Sequence, residues 1–218
     1  MDARGPLRAP DPTTAAALAA AVRAAAPRLG GTRLVCIDGP AGSGKTTLAG
    51  RLAAALGNDV AVVHMDDVYA GWTLAGAAAR LAAGVLGPLS VGRPGGYHRY
   101  DWIAGRFADD VTPVPVAQVL IVEGCGSCPR LVDPWTTLRI WVEASAPVRL
   151  ARGLARDGEE HAAHWHRWQR EERALFEAED TRARADLRVD GAPSSSADDA
   201  VVLLDDTFPQ RAARTMDA

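Results

Sequence analysis

Eight consecutive residues carry the plainest chemistry in the chain: Gly39, Pro40, Ala41, Gly42, Ser43, Gly44, Lys45 and Thr46, with Thr47 behind them. Three glycines in so short a run let the backbone turn its amides toward one point without Cβ obstruction, and such a concavity binds anions. A helix beginning near Lys45 adds its positive dipole end. The spacing predicts Lys45 at the β- and γ-phosphates of a nucleotide and the Thr46 hydroxyl on Mg2+. Lysine and arginine together number 24, and all but Lys45 are arginine. A compact ammonium and a forked guanidinium are not interchangeable in a narrow loop. The single lysine stands where that difference matters most.

Acids come next. Asp66 and Asp67 follow the apolar run 60–65, and Glu123 closes the run 118–123 just before Gly124. If both runs are strands of an open parallel sheet, these acids emerge at the carboxyl edge, where ligands sit, beside the phosphate loop. A carboxylate there accepts the proton of an attacking hydroxyl or holds Mg2+. Asp66 is the candidate base, and Thr46, Asp66 and Glu123 are the candidate metal set. A single strand-end acid is as often a cap, but two beside one phosphate loop favour the functional reading. Arg149, Arg152 and Arg156 recur at helical spacing, and Asp157-Gly158 then breaks that helix. A charged helix follows, the layout of a lid that brings positive charge over phosphates. A solvated, salt-bridged helix pair is the alternative.

Two other clusters invite a metal and are read otherwise. His161, His164 and His166 do not share one helical face, so Trp165, Trp168, Leu175 and Phe176 are expected to form the apolar stripe of that helix. Cys125 and Cys128 have the spacing of a redox or zinc pair, but the third cysteine, Cys36, stands alone. Two ordinary thiols in a tight loop are expected.

The elements that must position these residues are legible as alternation. Apolar runs at 33–38, 60–65, 118–123, 138–143 and 186–190 alternate with helical stretches at 45–56, 73–86, about 147–156 and about 159–178. Runs rich in Val, Ile and Leu on both faces need cover on both sides. The expected class is α/β: a three-layer P-loop NTPase fold, with a five-stranded parallel sheet flanked by helices and a helical lid at about 150–180. The expected divisions are an N-terminal helix in 1–30, a core over 31–191, and a C-terminal segment and tail over 192–218. A loop is expected at 87–96, a polar linker at 191–197 and a frayed tail at 209–218. The Ala-rich stretch 13–26 reads as a helix capped by Thr13 or Thr14. With 218 residues, 48% hydrophobic and 23% charged, the chain fits one domain. Its net charge of −3 gives no reason to expect nucleic acid, and no apolar run reaches the length of a membrane span. A cytoplasmic protein is expected.

Taken in order, these segments resemble the uridine kinase-like branch of the P-loop nucleoside kinases, which also contains nicotinamide riboside kinases, pantothenate kinase and phosphoribulokinase. The resemblance rests on residues 37–47, Met65-Asp66-Asp67-Val68-Tyr69, Tyr100-Asp101-Trp102, Val122-Glu123-Gly124, the arginines 149, 152 and 156 with Asp157, and Ala185-Asp186-Leu187. It implies ATP and Mg2+ as cofactors, with Asp66 as general base, Glu123 as the acid near Mg2+, and Arg152 and Arg156 as lid arginines. It also implies that Tyr100 and Trp102 line the acceptor pocket, to which Asp67 and Tyr69 are assigned with them. Where pyrimidine-nucleoside kinases carry a base-reading His, this chain has Gly105. Their acceptor segment is replaced by Ala70-Gly71-Trp72 and an Ala-rich stretch. Trp72, His98, Arg99 and Arg106 are therefore candidates for a different specificity pocket, and Arg106 or Arg93 for pairing with an anionic acceptor. The implied activity is transfer of the γ-phosphate to a hydroxyl of a nucleoside or nucleoside-like small molecule. The alternatives are a non-nucleoside metabolite or antibiotic hydroxyl, or a regulatory ATPase with no acceptor. The expected partner is a small molecule with a free hydroxyl, with a homodimer left open.

Overall fold

A computed structural model of the chain describes residues 13–193 and 200–204. In chain order, β1 (Thr13–Thr14) leads into α1 (Ala15–Ala24), and β2 (Arg33–Asp38) runs through the glycine loop into α2 (Lys45–Leu56). β3 (Val60–His64) ends in a 3-10 turn, Met65–Asp67. Then come α3 (Ala77–Leu81), a π-helical turn (Ala82–Leu86), α4 (Gly87–Ser90) and the strands β4 (Gly95–Asp101) and β5 (Arg106–Val114). β6 (Val119–Glu123), β7 (Thr136–Glu143), α5 (Ala146–Asp157) and α6 (Ala162–Glu179) follow. α7 (Thr181–Arg184), β8 (Leu187–Asp190) and β9 (Ala200–Val201) complete the described chain.

The five apolar runs form one parallel sheet in the order β3-β6-β2-β7-β8. The period of two in β2 divides its side chains between two cores. Val35 and Ile37 pack with Leu18, Val22, Leu48 and Leu52 of α1 and α2. Leu34 and Cys36 pack on the opposite face with Leu81, Leu86, Leu89 and Trp168. β6 alternates likewise, with Val119 and Ile121 on one side and Leu120 and Val122 on the other. This is the three-layer α/β architecture that the sequence implies, and its carboxyl edge gathers the phosphate loop, Asp66 and Glu123. Helix α1 starts at a Thr14 cap, whose Oγ1 accepts the Ala17 N–H at 3.1 Å.

Between β3 and β6 the chain departs from its periodicity. The helix expected over 73–86 begins at Ala77, widens into a π turn and continues through Gly87-Pro88 to Ser90. The loop expected over 87–96 is thus helix at one end and strand at the other. β4 and β5 form an antiparallel hairpin separate from the main sheet. The hairpin leaves little trace in the sequence because most of β5 is solvated on both faces, which removes the apolar alternation that marks a half-buried strand. Its turn is held by Asp101, whose Oδ1 accepts the N–H groups of Ile103 and Ala104, both at 2.9 Å. The linker residues 194–197 and the tail 209–218 lie outside the described residues. Among the described residues, no helix is long and apolar enough to cross a membrane.

α5 and α6 meet at Gly153, where a Cβ would lie 2.2 Å from the Trp165 ring. Trp165 is 1% exposed, so the indole has no free space to move into. Gly153→Ala is expected to lose about 1–3 kcal/mol through overpacking, read by chemical denaturation. Wild-type stability would show that the two helices separate freely.

Candidate active site

The glycine loop has almost no side chains of its own, so its shape depends on what holds its backbone. Gly42 has φ 77°, and a Cβ there would lie 2.5 Å from the Arg149 carbonyl oxygen, so only glycine lets α5 approach the loop. Asp38 anchors the loop's start: its Oδ1 accepts from Gly39 N–H at 2.7 Å and Gly126 N–H at 2.9 Å, and its Oδ2 from Cys128 N–H at 2.9 Å. Ala41 is held at both its backbone polar groups. Its N–H donates to Glu172 Oε2 at 2.8 Å, and its carbonyl accepts from Arg149 Nη1 at 3.3 Å. Arg149 and Glu172 also pair with each other at 3.0 Å. Arg152 Nη1 reaches the carbonyls of Gly42 (3.2 Å) and Gly191 (3.0 Å). Lys45 Nζ donates to Pro40 O at 2.9 Å and lies 3.6 Å from Cys125 Sγ.

The charges are deeply placed. Burial works against the Lys45 ammonium, yet Cys125, Glu123, Asp38 and Glu172 together raise its pKa above the ordinary lysine value. Burial also pushes the Cys125 thiol far up, so at neutral pH that sulfur is uncharged and the carboxylates sustain the ammonium. Burial raises the Asp66 carboxyl against the pull of Lys45, with Glu123 adding to the rise. Glu123 Oε1 accepts from the Thr46 hydroxyl at 3.1 Å and lies 2.6 Å from His64 Nδ1, a contact that raises the His64 pKa despite partial burial. The Thr46 hydroxyl and the Glu123 and Asp66 carboxylates offer hard oxygens at the mouth of the loop, a donor set suited to Mg2+. Among the described residues, no group of three or more His, Cys, Asp or Glu forms a complete metal cage. Waters and phosphate oxygens would fill the shell, as Mg2+ prefers.

These groups face one cavity of about 840 Å3. Its floor is the loop from Ala41 to Thr47, with Ser43 buried beneath. Arg152 and Arg156 form one wall, and Asp190 to Pro193 with Val201 close one end. The other end is aromatic: Tyr69, Trp72, Trp102, Trp165 and Trp168 surround Asp66. Trp72 stacks on His164 of α6 at 5.2 Å and 21° and meets Trp102 edge-on at 5.8 Å. Trp102 Nε1 donates to the Asp66 carbonyl at 3.1 Å, and the ring is still 44% exposed. Arg156 pairs with Asp157 and lies over the Trp165 ring.

The remaining sequence candidates stand outside the cavity wall. Asp67 accepts from Arg99 Nε at 2.7 Å and from the Tyr97 hydroxyl at 3.1 Å. Tyr100 packs behind Trp102 and against Phe107, His98 Nδ1 is 2.9 Å from Ala108 O across the hairpin, and Arg106 pairs with Asp109 at the hairpin end. Gly39 and Pro40 lie behind the cavity floor, as backbone partners of Asp38 and Lys45. His161 and His164 pack on Trp72, and the three cysteines are free and buried. Sequence reasoning passed over Asp38, His64 and Glu172, and it read Cys125 as an ordinary thiol without placing it beside Lys45. Asp38 had a signal, being the residue that joins strand to glycine loop. Glu172 had none, as one charge among many on a charged helix.

No protein-family profile matches the sequence, and no curated protein matches it. Solved structures do. A possible uridine kinase from Bacillus stearothermophilus superposes with a TM-score of 0.54 at 20% identity, over 72% of this chain and 88% of that one. A provisionally assigned fructose transport system kinase from Silicibacter sp. TM1040 superposes with a TM-score of 0.54 at 24% identity, over 75% of this chain and 95% of that one. At such identities the likeness is one of fold: the chain shares the α/β fold of these two structures.

Asp38 supplies a test of the loop's electrostatics. Burial outweighs its three hydrogen bonds and raises its pKa from 3.8 to about 6. Between those values the folded chain keeps a proton that the unfolded chain has released. The stability contributed by this group is therefore full below about pH 4 and is lost as pH rises through 6. Asp38→Asn is expected to remove most of the decline between pH 4 and 6 in urea denaturation, leaving the smaller share of Asp66. An unchanged slope would contradict this placement of the charge.

Proposed function

We propose that this chain is an ATP-dependent small-molecule kinase that moves the γ-phosphate to a hydroxyl of a nucleoside or nucleoside-like acceptor. The supporting observation is that one cavity holds the phosphate loop, the single lysine and Asp66, with an aromatic wall around that acid. The triphosphate lies along the loop, with Lys45 turning from Pro40 O toward the β- and γ-phosphates. Thr46 and Glu123, with Asp66 close by, would hold Mg2+, which would supply positive charge to the phosphate oxygens. The acceptor enters beside Trp102, the half-exposed ring next to Asp66, and its hydroxyl faces that acid. As that oxygen bonds to the γ-phosphorus, Asp66 takes its proton, the bond to the β-phosphate oxygen breaks, and ADP leaves. A carboxyl pKa raised by burial makes Asp66 a stronger base than a solvated aspartate. Arg152 and Arg156 offset charge on the migrating group.

The wall also bears on the acceptor's chemistry. Its aromatic rings suit a flat, ring-bearing molecule. Arg99 and Arg106 pair with Asp67 and Asp109 and do not line the cavity. The same wall accepts a ring alcohol that is not a nucleoside, which keeps that second reading. The expected compartment is the cytoplasm.

Purified protein tested with nucleosides, sugars and vitamins is expected to release ADP in response to a ring-bearing alcohol. Asp66→Asn is expected to cut that turnover by roughly 10²–10⁴-fold with little change in ATP affinity. Full activity in the variant would overturn the base assignment. ADP release indifferent to every acceptor would point to an ATPase.

A further inference from the structure

Helix α6 carries two adjacent acids, Glu171 and Glu172, that serve opposite halves of the cavity. Successive helical residues point about 100° apart, so neighbours on one helix can reach two different walls. Glu172 falls seven residues after Trp165 and four after Trp168, on the inward face, and is only 2% exposed. It takes the Ala41 N–H of the phosphate loop and the Arg149 guanidinium. Glu171 falls seven residues after His164, on the face whose ring stacks on Trp72. Its Oε1 accepts the Thr73 hydroxyl at 2.8 Å and the Leu74 N–H at 2.7 Å. Thr73 and Leu74 directly follow Trp72, the centre of the aromatic wall. The helix is also fixed beyond these acids: Phe176 packs edge-on against Trp141 at 4.7 Å, and Glu179 accepts the Arg130 N–H at 2.7 Å.

We propose that Glu171 and Glu172 are positioning residues and that α6 is a fixed bridge setting the separation between the phosphate loop and the acceptor loop. On this reading, which rests on the kinase function proposed above, α6 is not the moving part of a lid. The end of α5 is tied to the same helix, with Trp165 Nε1 donating to Asp157 at 3.0 Å and Arg156 lying over the Trp165 ring. Neither acid touches the reacting atoms. Each fixes a backbone segment whose placement decides whether a bound hydroxyl is aligned with the γ-phosphorus, and misplacement of about 1 Å costs on the order of 10²-fold in rate.

The test pairs kinetics with hydrogen exchange, at a temperature where every variant is folded. Glu171→Ala is expected to lower kcat for the acceptor about 10- to 100-fold while KM for ATP stays within about twofold. Glu171→Gln, whose amide oxygen still accepts the Leu74 N–H, is expected to recover most of that loss. Arg173→Ala, on the exposed side of the same helix, is expected to match wild type. Binding of ADP alone is expected to slow amide exchange in residues 71–76 of wild type, and this effect should vanish in Glu171→Ala with ADP affinity unchanged. A kcat within threefold of wild type in Glu171→Ala would overturn the proposal. Exchange at 71–76 that ignores ADP in wild type, or still responds in Glu171→Ala, would do the same. If no acceptor stimulates ADP release in wild type, the kinase function falls and the exchange result alone decides the bridge.

Discussion

A phosphate-binding loop is a row of backbone N–H groups held open around an empty point, and this chain's structure is organised by what that demands. A run rich in glycine cannot hold such a shape through its own side chains. Its neighbours do so instead, and they use charge. Asp38 fixes its first peptide, the Arg149–Glu172 pair holds Ala41 from both sides, and Arg152 takes the Gly42 carbonyl. These groups come from β2, α5 and α6, so the loop draws the sheet and the helical pair onto one framework. A buried ion pair contributes little to net stability by itself. Here the Arg149–Glu172 pair also satisfies the Ala41 N–H and carbonyl, which makes its geometry specific.

The same framework sets the electrostatics. Lys45 is buried among Asp38, Glu123 and Glu172, and its charge also pulls on the Asp66 carboxyl. The protein's own groups thus gather negative charge around one ammonium. That suits a centre that receives Mg2+ together with a polyphosphate, since the metal adds the positive charge that the carboxylates anticipate. The arginines complete the balance from the α5 side. The acceptor end is different in kind, with aromatic rings and a single acid. On the proposed function, phosphate chemistry and acceptor recognition take different parts of the cavity, and α6 contacts the segments that line both.

What could be read from the sequence follows from how local each signal is. The glycine loop, the five apolar strands and the acids at strand ends are each encoded within a few residues, and the five-stranded parallel sheet stands as expected. The hairpin was not legible, because the solvated strand Arg106–Val114 carries no alternation. The helix after Trp72 was legible in kind but not in extent, since its π turn and its passage through Gly87-Pro88 break the 3.6-residue period. Glu172 was invisible because its meaning lies in a contact 131 residues away, with Ala41. Trp165 and Trp168 were legible as an apolar stripe, but not as part of the cavity wall. That role depends on α6 lying across the mouth of the loop.

On the proposed function, the nucleotide's terminal phosphate passes to an organic hydroxyl in this cavity and not to water. ATP labelled in its γ-phosphate, incubated with the protein, Mg2+ and the best acceptor from a screen, measures that partition directly. The expected result is label in a phosphorylated organic product, with little inorganic phosphate. Label appearing only as inorganic phosphate, at a rate no acceptor changes, would contradict it.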